Sequence, residues 1–239
     1  MRKLTALLLL TLGGMVFGLK AETAVLKIDR FQQLKVVGPL NVDCVHCPDS
    51  VGMLVVESPD AARISWVEAK SNGDKLRLQL VAPDDIRTGL KPLPSDLPRV
   101  RVYTNYLTKV ENEGDSTLRV LTAADVPQFE ARLMGNGRLS IRGINAEKLK
   151  ATLFTGRGIM VLNGRADKAA YRLAGVGTIE ADGLECRDAS VRMAGTGAVG
   201  VHATEKLKIS GSGSGTVYSR GAPDVNKKMA LGIKFQPID

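Results

Sequence analysis

The stretch Gly135-Asn136-Gly137-Arg138-Leu139-Ser140-Ile141-Arg142-Gly143 returns as Gly156-Arg157-Gly158-Ile159-Met160-Val161-Leu162-Asn163-Gly164. The glycine tandem that opens it recurs at Gly175-Val176-Gly177, Gly195-Thr196-Gly197 and Gly213-Ser214-Gly215. Successive tandems are 21, 19, 20 and 18 residues apart. A period of about 20 residues marks a stacked repeat, because each unit is one supersecondary turn that can bury its apolar face only against the next unit.

Working outward from the tandems, two apolar alternations repeat. After the glycines come Leu139, Met160, Ile179, Val199 and Val217, and two residues further on Ile141, Leu162, Ala181, Val201 and Ser219. Before them run Phe129, Ala131, Leu133; Leu149, Ala151, Leu153; Ala169, Tyr171, Leu173; Ala189, Val191, Met193; and Leu207, Ile209. Period-2 alternation in short runs bounded by Gly and polar turns reads as half-buried strands. Helical repeats are excluded, since they run about 33 to 47 residues with an apolar spacing near 3.6. Two strands and two tight turns per unit predict an all-β fold, a β-solenoid built as a flattened parallel β-helix-like stack. The ten tandem glycines are read as turn residues that accept positive φ and leave room for the backbone of the adjacent coil. A degraded unit at Glu113 to Val120 extends the register, with Leu118 standing 21 residues before Leu139. Six coils at a strand spacing of about 4.8 Å would span roughly 24 Å from first to last.

The remaining chain divides around this stack. Met1-Arg2-Lys3, an apolar run from Leu4 to Phe17 and small residues at Gly18 and Ala21 follow the order of a secretory signal peptide, assigned to residues 1–21 with cleavage after Gly18 or Ala21. The formal net charge of +8 falls to +5 once Arg2, Lys3 and Lys20 are removed. Residues 22–97 lack the tandem and read as an N-terminal β meander capping the stack, with Asn72-Gly73-Asp74 as a hairpin turn. Residues 98–221 carry the repeats, and 222–239 form a C-terminal tail or cap strand. The proline-rich Lys91 to Pro98 is the connector between the two halves.

With these residues in view, the glycine-rich turns followed by Val or Ile alternation, Gly143-Ile144-Asn145, the opening Phe31 to Asn41 segment and the closing Gly221-Ala222-Pro223 carry a likeness. Over roughly residues 28 to 221 the chain resembles the putative auto-transporter adhesin head GIN domain family of exported bacterial proteins. The resemblance implies an all-β solenoid-like fold and an exported location. The chain departs from the family pattern in lacking Asp after each tandem, where Arg138, Ile159, Thr178, Ala198 and Thr216 stand.

Chemistry-bearing patterns are sparse. Cys44-Val45-His46-Cys47 lacks the following helix of a thioredoxin-like pair, the His after the second Cys of a haem attachment and the second ligand pair of a zinc site. In an exported chain it reads as a local disulfide between Cys44 and Cys47, with free thiols as the alternative. Glu180 and Asp182 flank Ala181 on one strand face, within reach of Arg142 or His202 on neighbouring coils. That placement admits a carbohydrate-active enzyme of β-helix type, although mixed charge is also what a solvated sheet face requires. No tandem carries the Asp of a calcium-binding nonapeptide repeat, and no helix follows the glycines as a phosphate loop demands. Neither cofactor nor metal is therefore expected, and no catalytic residue is assigned. With only 4% aromatic residues, stacking platforms for nucleic acid are scarce.

The reading is thus an exported periplasmic, extracellular or cell-surface protein with a binding or adhesion-like, non-catalytic role. Anionic glycans, lipid head groups and envelope proteins are the candidate partners of its basic surface. Ile159, Tyr171 and Tyr218 are candidate surface contacts. The alternatives are an envelope scaffold without ligand and the carbohydrate-active enzyme.

Overall fold

The computed structural model describes residues 21–123 and 125–238. The signal-peptide segment, apart from Ala21, lies outside the described residues. About 67% of the structure is strand, organised as a parallel β-solenoid of about six turns with an N-terminal strand meander.

Strands β1 (Glu22–Lys27), β2 (Gln33–Val37), β3 (Asn41–His46), β4 (Met53–Ser58), β5 (Val67–Asn72) and β6 (Lys75–Leu80) precede the connector, and β7 (Arg99–Thr104) follows it. The repeats begin at β8 (Lys109–Glu113) and β9 (Thr117–Val120) and continue through β10 (Asp125–Met134). Four long strands come next: β11 (Arg138–Phe154), β12 (Ile159–Gly175), β13 (Thr178–Gly195) and β14 (Ala198–Gly213). The chain closes with β15 (Thr216–Arg220), β16 (Asp224–Leu231) and β17 (Lys234–Pro237).

Each long strand turns a corner without losing its ladder, so its first arm belongs to one sheet and its second arm to the other. The register shifts at Ile141/Ile144 and Val161/Gly164 mark those corners. The first-arm sheet stacks Leu118, Leu139, Met160, Ile179, Val199 and Val217 in one parallel ladder, and each of these side chains is fully buried. The second-arm sheet faces it with Phe129, Leu149, Ala169, Ala189 and Leu207. Alternation therefore places both apolar sets in one core between the sheets, where burying each large aliphatic side chain is worth about 1.5–3 kcal/mol.

The two glycines of a tandem do different work. Gly195 sits at φ +142°, and a Cβ there would lie 2.1 Å from the carbonyl oxygen of Gly175 one coil below. Gly197 has no left-handed φ, yet its Cβ would stand 2.1 Å from the Gly177 oxygen. The first glycine thus answers to both conformation and space, the second to space alone.

At the N-terminal end the meander is only part of the picture. β1, β4 and β5 pair antiparallel, to β4, to β7 and to β6 respectively, and close the stack edge. The turn between β5 and β6 has Gly73 at φ +57°. β2 and β3, by contrast, are parallel rungs inserted inside the stack: β2 lies between β6 and β8, and β3 between β7 and β9. At the other end β16 and β17 extend the ladders of β14 and β15 by one coil without a tandem. Its outer edge is interrupted by a bulge between Lys227 and Ala230, with Met229 at φ +55°, a device that discourages further strand pairing.

Candidate functional site

The outer face of the second-arm sheet is where charge gathers. Because side chains alternate across a strand, the residues between the buried positions form outward ladders. One runs Gln128, Lys148, Lys168, Asp188, Lys206 from β10 to β14. The next runs Gln33, Lys109, Glu130, Lys150, Ala170, Ser190, Lys208. A third runs Lys35, Glu111, Arg132, Thr152, Arg172, Arg192. Small residues at Ala170 and Ser190 leave a trough of about 710 Å³ along the stack axis, lined also by Thr108, Lys109, Lys148, Lys150, Lys168 and Asp188.

The two ends of this face differ in how their charge is balanced. Near β2 and β8, Lys35 Nζ donates to Glu111 Oε1 at 2.9 Å and also to Glu113. Glu130 accepts from Arg132 at 2.7 Å and pairs with Lys150 at 3.2 Å and Lys109 at 3.4 Å. Burial works against each of these charges, and the hydrogen bonds outweigh it. Lys35 is raised above its ordinary range, Glu111 is held at about 2, and Glu130 is lowered. Further along, Lys148, Lys168, Arg172, Arg192, Lys206 and Lys208 are all exposed and have no ion-pair partner among the described residues. Asp188, flanked in its ladder by Lys168 and Lys206, makes no ion pair with either, and its Oδ1 is buried without a hydrogen-bond partner.

The residues singled out from the sequence do not converge. Tyr171 is buried, not a surface contact: it shares strand parity with Ala169 and Leu173, and the small Ala151 beside it in the ladder leaves room for the ring. Ile159 and Tyr218 are half-buried on the opposite, first-arm face, with β13 and β14 between their strands. Cys44 and Cys47 are free thiols, not a disulfide. Cys44 takes an inward position of β3 in register with Val102 and Val120, whereas Cys47 lies beyond the strand end. Burial pushes the Cys44 thiol up to about 12. It also raises Cys186 to about 11, and the Cys186 Sγ donates to the His202 carbonyl oxygen at 3.4 Å. Both thiols are thereby kept protonated and poorly nucleophilic.

Glu180 is exposed, and its ladder neighbours are Val161 and Gly200, neither of which can transfer a proton. Among the described residues no group of three or more His, Cys, Asp or Glu is placed to hold a metal ion, and no helix is long and apolar enough to cross a membrane. A second concavity, of about 340 Å³, lies at a coil corner beside Asp125, Glu147 and Asp167. It is shallower than the trough and is lined by no cation.

The sequence matches, over residues 30–223, the family described as putative auto-transporter adhesin, head GIN domain. The chain belongs to this family. Solved structures similar to this head GIN domain protein include a putative adhesin from Bacteroides fragilis NCTC 9343, at TM-score 0.79 and 20% identity, covering 94% of this chain and all of that one. A putative lipid binding protein from Parabacteroides distasonis ATCC 8503 aligns at TM-score 0.68 and 20% identity, over 92% of this chain and 97% of its own. A putative adhesin from Parabacteroides merdae ATCC 43184 aligns at TM-score 0.64 and 18% identity over the same shares. At these identities the likeness establishes the fold. A comparison with curated proteins finds no match.

The cationic trough of this head GIN domain protein escapes a reading that follows the glycines. Its signal is the residue preceding the first inward position of each second arm, Lys148, Lys168, Asp188 and Lys206, which becomes one ladder only when the repeats are aligned on Leu149, Ala169, Ala189 and Leu207.

Proposed function

We propose that this head GIN domain protein is an exported, non-catalytic binding protein with an adhesion-like role, and that it engages an anionic component of the cell envelope or its surroundings through the outer face of the second-arm sheet. The observation that carries this reading is the set of six exposed lysines and arginines, Lys148, Lys168, Arg172, Arg192, Lys206 and Lys208, without counter-charge on the outer second-arm face of β11 to β14. Like charges on adjacent rungs repel, so a scaffold with no ligand gains nothing from the arrangement. A rigid ladder also presents its side chains at fixed spacing, which suits recognition more than turnover. Burial keeps the Cys44 and Cys186 thiols protonated, and Glu180 has no proton-transferring neighbour in its ladder, so none of these three side chains is set up as a nucleophile with an adjacent base.

The test is retention of purified residues 22–239 on fractionated bacterial envelope material. A variant with Lys148, Lys168, Arg172 and Arg192 changed to Gln should be lost from the fraction that retains the parent. Equal retention of both proteins would overturn the proposed face, and retention of neither would favour the scaffold. Release of reducing ends or unsaturated uronates from a polysaccharide panel, abolished by Glu180→Ala with Asp182→Ala, would replace binding with catalysis.

A further inference from the structure

We infer that the trough on the second-arm sheet is a subsite for a linear acidic polysaccharide, a chain of carboxylate-bearing sugars lying along the stack axis and crossing the strands. This rests on the binding role proposed above and gives its ligand a chemical class. The spacing of the cations favours a linear ligand. Successive rungs are about 4.8 Å apart, so Lys148, Lys168 and Lys206, which occupy the second, third and fifth of the five rungs of one ladder, meet a chain that runs along the axis at most of its steps. Arg172 and Arg192 stand on the adjacent rungs of a parallel ladder on the other side of Ala170 and Ser190. An extended polymer fits such a file of cations, whereas a compact anion would use only one or two of them.

The chemistry of the lining favours a sugar chain. A trough walled only by cations would take any polyanion, but this one is also lined by Glu130, which is paired with Lys109 and Lys150, and by the half-buried Asp188, which makes no ion pair. A carboxylate repels phosphate or sulfate that brings no donor, and it accepts readily from a sugar hydroxyl. Ser190, Gln128 and Thr108 add neutral hydrogen-bonding groups along the same wall. Nucleic acid is disfavoured because the aromatic ring lining the trough, Phe129, is itself buried at 1% exposure and offers no face for stacking. A lipid surface is disfavoured because the lining of the trough is dominated by charged and polar side chains, and the exposed apolar Met134 and Phe154 stand outside it.

The experiment is isothermal titration of residues 22–239 with polygalacturonate, with its di- to hexasaccharides, with neutral dextran, and with vesicles of phosphatidylcholine and phosphatidylglycerol at three to one. Polygalacturonate should bind, dextran should not, and affinity should rise with oligomer length until the trough is spanned. The triple variant Lys168→Gln, Arg172→Gln, Arg192→Gln should bind roughly tenfold more weakly, about twofold for each exposed ion pair. Arg138→Gln with Arg142→Gln, on the opposite face, should leave binding unchanged. Asp188→Ala should weaken binding to polygalacturonate although it removes a negative charge, an outcome that simple charge attraction predicts with the opposite sign.

Equal loss in both cation variants, or tighter binding by Asp188→Ala, would overturn the subsite. Vesicle binding that the triple variant abolishes, without polygalacturonate binding, would replace the polysaccharide with a lipid and leave the cationic face as the binding surface. No binding to either probe, while envelope material is still retained through this face, would overturn the ligand class alone. Loss of retention as well would overturn both.

Discussion

One sheet face carries two solutions to the same electrostatic problem. On β2, β8 and β10, each outward lysine or arginine meets a carboxylate: Lys35 joins Glu111 and Glu113, while Lys109 and Arg132 join Glu130. On β11 to β14 the same ladders carry seven cations: Lys150 pairs back to Glu130, and the other six share the face with one acid, Asp188, that pairs with none of them. The same parallel ladders run beneath both halves, over one continuous core. What differs is the outward residue, so the contrast is a property of the surface and not of the fold. The paired half gains stability from its charges, and the unpaired half keeps its charges available.

The comparison presumes one continuous core, and the largest effect comes from breaking it. Ile179 is fully buried in the ladder between Met160 and Val199. Ile179→Asp places an unpaired charge there, at a destabilisation of about 3–5 kcal/mol. Thermal melting followed by circular dichroism should show the cooperative transition lost or shifted far down. A variant as stable as the parent would mean that the inward register is misassigned.

Next in size is removal of the central cation of the paired half. Lys35→Ala leaves Glu111 and Glu113 facing each other in a partly buried site, which should cost about 2 kcal/mol in urea unfolding. Adding Glu111→Gln should restore part of it. Lys168→Ala in the unpaired half should change stability by no more than about 0.5 kcal/mol. Similar losses at the two positions would erase the distinction between the halves.

The paired half should also respond to acid. Glu111 is held at about 2 in the folded protein, despite burial, by hydrogen bonds from Lys35, whereas an unfolded Glu titrates near roughly 4.3. Its folded value is depressed, so its contribution is present above the unfolded value and is lost as pH falls from roughly 4.3 toward about 2. Stability of the parent should therefore fall across that window more steeply than that of Glu111→Gln. Parallel acid profiles would show that the Lys35 contact does not hold the carboxylate.

The fold was more legible than the site for a physical reason. Turn geometry and burial restrict residue types strongly, so Gly195, Gly197 and the Leu139 to Val217 ladder repeat visibly along the chain. Outward positions are restricted only by solubility, and Lys148, Lys168 and Lys206 are interrupted by Asp188 and spread over almost 60 residues of chain. They meet only when the coils stack. Tyr171 suggests a surface contact by residue type, since tyrosine is common on binding surfaces, but its parity with Leu173 places it inside. The insertion of β2 and β3 between later rungs was invisible for another reason: parallel pairing of strands distant in sequence leaves no local pattern comparable to a hairpin turn.

The smallest effect tests the unpaired half directly. Lys168 has Lys148 on one neighbouring rung, and on the other Asp188, which makes no ion pair with it. Two unit charges about 5 Å apart in water repel by roughly 0.8 kcal/mol before screening, and flexible side chains relieve much of that. Lys168→Gln should thus stabilise the protein by a few tenths of a kcal/mol at low ionic strength, the size expected for removing a like-charge neighbour. The gain should vanish at about 1 M salt, where the Debye length is only about 3 Å. Parallel melts at low and high salt measure both quantities. A variant that is less stable than the parent at low salt would mean that Asp188 compensates Lys168 in solution, and the two halves of the face would then be balanced alike.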